Sequence, residues 1–182
     1  MRKCLSLLFL FLISNVFSQE NEYFIDANFD VNNRLVEIYQ TIDFTNTTSN
    51  NLNYIILNDW AHSYFRPTTP LGKRLSEDFT LNFQRSTKNQ RGFTTIIDIK
   101  SDSTILDHTR LKENIDLVKV KLKNLLKPNE KITITIEYKI KIPISDFTGY
   151  GIDKNNNINL SEWFITLAKV IDNNWLIESN LD

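Results

Sequence analysis

The chain has 182 residues, a formal net charge of −1 and a single cysteine, Cys4, with 41% hydrophobic and 12% aromatic side chains. The near-neutral balance excludes a basic nucleic-acid binder. One cysteine excludes both a disulfide framework and a multi-thiolate metal site.

Arg2 and Lys3 precede an apolar run from Leu5 to Val16, and Val16 and Ser18 stand at −3 and −1 of a cleavage site before Gln19. This is the grammar of a secretory signal peptide. Residues 1–18 are therefore predicted as a signal peptide and 19–182 as the mature domain; the competing reading is a short N-terminal membrane anchor. Cys4 lies ahead of the apolar run, where a lipid-acceptor cysteine would follow it, and it leaves with the signal. The expectation is an exported protein of the bacterial envelope, periplasmic, cell-surface or secreted, stabilised by its core and without a disulfide partner. The mature length suits one domain.

The elements that follow are strands with turn signals between them. Tyr23–Phe29 and Leu35–Phe44 read as a hairpin across Val31–Arg34, with Asn32-Asn33 as its turn. Leu52–Leu57 is a third strand that runs on towards Trp60. Residues 61–76 are broken by Pro67, Pro70 and Gly72, with one short helix predicted over 71–78. Phe79–Phe83 and Phe93–Ile99 alternate and read as strands, 101–114 as loop, and Ile115–Leu122 as a strand. Lys127-Pro128-Asn129-Glu130 is a tight turn. From Ile132 to Ile142 every even position is apolar and every odd one polar. Period 2 at this length predicts a long strand with one buried and one wet face. The lysines of 121–127 and 131–141 read as strand exteriors that protect sheet edges. The tail, 155–171, is less regular. Together these elements predict an all-β protein, an antiparallel β-sandwich of about 7–9 strands with at most one short helix.

Chemistry-bearing motifs are absent. His62 and His108 have no second histidine at metal-ligand spacing. His62 reads as a rim or core residue, and His108 as a side chain of an exposed polar loop. There is no G-x-S-x-G, phosphate-binding glycine loop or nucleophilic cysteine. The aromatic residues mostly fall on apolar phases and read as core rather than as a sugar-binding platform. No catalytic residue and no metal ligand is therefore assigned to this chain.

Several segments in order resemble the N-terminal β-sandwich domain of the aminopeptidase N-like zinc metallopeptidases, the gluzincin class. They are the hairpin from Tyr23 to Asn46; Leu52-x-x-Ile55-Ile56-Leu57-x-x-Trp60-Ala61-His62-Ser63-Tyr64; Arg91-Gly92-Phe93; Leu126-Lys127-Pro128-Asn129-Glu130 with the long strand after it; Pro143 to Gly151; Glu162-Trp163-Phe164; and Asp172-Asn173-Asn174-Trp175. The resemblance covers nearly all of 20–176 and is strongest over 117–175.

The resemblance implies a scaffold domain rather than an active site. The family's catalytic domain carries G-x-M-E-N and H-E-x-x-H, with zinc as its cofactor. The only methionine here is Met1 and H-E-x-x-H is absent, so the chain by itself is expected to hold no zinc and to be inactive. It is read as ending about where that catalytic domain would begin, which would then be its C-terminal partner, with a peptide as substrate. The strand that addresses the substrate's amine in the family falls on Glu162 and Phe164. Phe164 replaces the usual acidic or amide residue, and Ile165 the usual proline. The competing reading is a stand-alone envelope or secreted binding module without catalytic activity.

Overall fold

The fold is described over residues 21–181 of a computed structural model. The segment read as a signal peptide lies outside the described residues. In chain order the elements are β1 (Glu22–Asp30), β2 (Leu35–Thr45), β3 (Leu52–Asn58), a 3₁₀ helix (Trp60–Phe65), α1 (Pro70–Glu77), β4 (Phe93–Ser101), β5 (Thr104–Ile105), β6 (His108–Arg110), β7 (Leu117–Leu126), β8 (Lys131–Lys141), β9 (Gly151–Ile152), β10 (Ile158–Asn159), β11 (Thr166–Leu167), β12 (Val170–Ile171) and β13 (Asn174–Trp175).

The alternating segment is the centre of the fold. β8 pairs antiparallel with β2 from Leu35↔Lys141 to Thr45↔Lys131, and on its other side with β4. Its even-numbered side chains turn inward: Ile134, Ile136, Tyr138 and Ile140 are buried. At roughly 25 cal/mol per Å² of apolar surface, each contributes about 2 kcal/mol. One sheet runs β1-β2-β8-β4-β5 and the other β11-β3-β7-β6. Ile38, Ile42 and Ile136 of the first meet Ile55, Leu57, Val118 and Val120 of the second in one core. This is an antiparallel β-sandwich whose two sheets hold nine strands, as the period-2 patterning predicts. A second cluster, Tyr64, Leu71, Leu75, Phe83, Phe147 and Tyr150, sits beneath α1. Thr69 caps that helix by accepting from the Gly72 N–H, with Pro70 in its first turn.

Five expectations are corrected. Phe79–Phe83 forms turns, not a strand. Phe79 has a left-handed backbone and is 89% exposed, and Phe83 alone of that alternating set is buried. The alternation there marks one anchor rather than a sheet face. Residues 101–114 contain β5 and β6, too short to show a period. His108 accordingly lies in β6, opposite Val120, and is half-buried. The segment after β3 coils into the 3₁₀ helix, so the described residues hold two short helices where at most one is expected. Lys139 and Lys141 protect no edge, because β8 is paired on both sides there; they lie on the outer face of a central strand.

Candidate functional site

Two buried polar networks brace the sandwich. The first is centred on Asp59, 1% exposed. Its Oδ1 accepts from the Thr94 hydroxyl (2.6 Å) and its Oδ2 from Arg110 Nη2 (2.6 Å), while Arg110 Nη1 donates to the Ile115 carbonyl (2.8 Å). Burial raises the Asp59 carboxyl above its ordinary value, against the opposing pull of Arg110 and Thr94. His62, next along the chain, accepts the Thr94 N–H at Nδ1 (3.1 Å) and stacks on Phe65. Burial, aided by the Arg110 charge, lowers its pKa to about 3, so the ring is neutral. It meets the backbone of β4 at Thr94, on the side where no neighbouring strand pairs. The Asp116 carboxylate accepts from the Ser179 hydroxyl (2.6 Å) and the Asn180 N–H (2.7 Å), which ties the tail to the sandwich. Burial raises its pKa as well.

The second network crosses the core. Tyr138 Oη donates to Gln40 Oε1 and accepts the Ile165 N–H (3.2 Å), while Gln40 Nε2 donates to the Ile165 carbonyl (2.5 Å). Gln40 is fully buried. Both backbone polar groups of Ile165 are thus held by β2 and β8. That fixes the segment carrying Glu162 and Phe164 through three buried hydrogen bonds.

Between the tail, the 3₁₀ helix and this segment lies a cleft of about 280 Å³, lined by Trp60, Tyr64, Tyr150, Ser161, Glu162 and Asn180. Tyr64 and Tyr150 stack at 5.0 Å between centroids, nearly parallel. Tyr150 is set in place by Gly151, whose φ is +130° and where a Cβ would meet the Pro143 carbonyl at 2.4 Å. The buried Trp60 indole N–H has no hydrogen-bond acceptor among the described residues. Glu162 is exposed at the rim and adopts φ +46°, a left-handed conformation uncommon outside glycine. Phe164 points elsewhere, packing against Tyr23 (5.9 Å) and Trp163 (5.8 Å). The structure therefore separates the two residues that the family resemblance puts together: a carboxylate on the cleft and an aromatic in a side cluster. Among the described residues no group of three or more His, Cys, Asp or Glu is placed to hold a metal ion.

No protein-family model matches the chain, and no curated protein matches it.

What the arrangement offers is a carboxylate beside aromatic walls, a setting that favours an organic ammonium through a charge-assisted hydrogen bond and ring quadrupoles. Sequence reasoning reached Glu162 but not Tyr150 or Asn180. The segments that meet in the cleft are spread along the chain from Trp60 to Asn180, and no local pattern joins them. A signal for Asp59 did exist: a lone carboxylate between the apolar run 55–57 and Trp60 needs a cation if it is buried.

Proposed function

We propose that this chain is the non-catalytic β-sandwich domain of an exported, zinc-dependent aminopeptidase-type metallopeptidase, covering one side of the substrate cleft and engaging the peptide's amino terminus. The observation that carries the reading is Glu162, held at the mouth of an aromatic-lined cleft. The family assignment is supported by the order of the resembling segments along 20–176. In this reading zinc belongs to a catalytic domain and no step is assigned to it here. This chain's residues bind and orient: Glu162 accepts the ammonium, and Trp60, Tyr64 and Tyr150 wall the first side chain. Such fixing of one end converts peptide binding into positioning, which is what a cleft-covering domain contributes to catalysis.

The test is hydrolysis by the purified chain of leucine and alanine p-nitroanilides, with and without chelator. The expected result is no chelator-sensitive hydrolysis above the uncatalysed background. Chelator-sensitive turnover by this chain would overturn the reading of a non-catalytic domain.

A further inference from the structure

A different surface, the outer edge of β1, also points to a partner. The other strands that end the two sheets are short. β5, β6 and β11 span only two or three residues, and on β4 beyond β5 the Thr94 N–H is met by His62 of the 3₁₀ helix. β1 differs. It is nine residues long, ends its sheet, and pairs with β2 in unbroken register from Glu22↔Asp43 to Asp30↔Leu35. It has no bulge, no proline and no lysine, the devices that natural edges use against further pairing. Among the described residues no backbone hydrogen bond joins β1 to anything but β2.

Charge selects the occupant. The outward phase of β1 carries Glu22, Asp26 and Asp30 and no cation. A two-fold pairing of β1 with a second copy, centred on Asp26, would set Asp26 against itself and Glu22 against Asp30, which like-charge repulsion disfavours. A basic strand meets the opposite situation. The register places Asp26, Tyr39, Glu137 and Asp98 in one cross-strand row. Asp98 is bound to Lys100, and Glu37, in the next row, to Lys139. Asp26 and Glu137 make no direct ion pair among the described residues. Between them Tyr39 is 54% exposed, on the floor of a groove of about 510 Å³ that Ile97 also lines. A long cationic side chain placed across from Asp26 would extend this row over the Tyr39 ring towards Glu137. On the inward phase, Phe29 is 42% exposed and packs edge-on to Trp163 (5.6 Å), offering cover for apolar side chains of an added strand.

We propose that β1 is an open docking edge for an extended segment of a partner protein that alternates basic and apolar residues, with an arginine or lysine across from Asp26. The segment adds a sixth strand: backbone hydrogen bonds hold it, and the Asp26–Tyr39–Glu137 row selects for positive charge.

The test titrates the purified protein, observed by amide NMR, with a capped nonapeptide alternating arginine and valine. Its glutamate–valine counterpart and two versions N-methylated at alternate amides, one on the arginines and one on the valines, complete the set. The expected result is perturbation and exchange protection of amides 22–30 by the arginine peptide alone, and loss of binding in one of the two methylated versions. Asp26→Arg, a change at an exposed position, should weaken the arginine peptide about fivefold or more and give the glutamate peptide measurable affinity. Binding of both methylated versions, equal response to both charge types, perturbation mapping away from β1, self-association through β1, or no binding at millimolar peptide would each overturn the proposal.

Discussion

Arg110→Ala should destabilise the fold by about 3–5 kcal/mol, the usual cost of leaving a buried charge without its partner. Asp59 is 1% exposed, and Arg110 is the cation that reaches its carboxylate. The pH dependence follows from the direction of the Asp59 shift. The folded state binds this proton more tightly than the unfolded chain does, so the contribution favours folding at low pH. It is lost as pH rises from the ordinary carboxylate range through the raised value. Removing Arg110 takes away an opposing pull and raises Asp59 further. The variant's deficit, measured by urea unfolding, should therefore be larger at pH 8 than at pH 4. Adding Asp59→Asn should recover part of it, a coupling that a double-mutant cycle reads directly. A deficit below about 1 kcal/mol, with no pH dependence, would be the signature of a surface ion pair and would contradict this account.

Gln40→Ala should cost about 3 kcal/mol or more, and its effect should reach the cleft. The substitution strips the Tyr138 hydroxyl of its acceptor and the Ile165 carbonyl of its donor, at roughly 1–3 kcal/mol for each buried group left unpaired, and it opens a void. Hydrogen exchange separates the local consequence from the global one. The Ile165 amide, held by Tyr138, should exchange faster by more than the loss of overall stability requires, while amides at the centre of β8 should follow global unfolding. An Ile165 amide that tracks β8 would mean that the triangle does not hold the Glu162 segment.

The sandwich was legible where one physical rule acted over many residues. β8 shows its period because every second side chain enters the core, and the β1–β2 hairpin shows because Asn32-Asn33 breaks two alternating runs. Reading failed where a rule had too few residues to act on. Phe79–Phe83 alternates over five residues, yet only Phe83 is anchored; β5 and β6 owe their existence to neighbours rather than to any periodicity of their own. The lysines of β8 were misplaced for a related reason. Alternation reports which face a side chain takes but not whether its strand is central, which depends on the distant partners β2 and β4. The candidate site was legible only as a single residue. Glu162 stands out through its family-like context, whereas its surroundings depend on the Asp116 link to the tail and on the Gly151 turn, which are tertiary facts. Tyr39 shows the converse: an aromatic in the polar phase of β2 is visible in the alternation, and it forms the exposed floor of the groove beside β1.

The most direct test of the cleft's assignment compares alanyl-alanine amide with its N-acetylated form, titrated against the protein and observed by amide and indole NMR. The account predicts that only the free amine shifts the Trp60 indole and the amides of Tyr150 and Glu162, and that Glu162→Gln abolishes the difference. Equal shifts from both peptides, or an unchanged response in the Glu162→Gln protein, would contradict it.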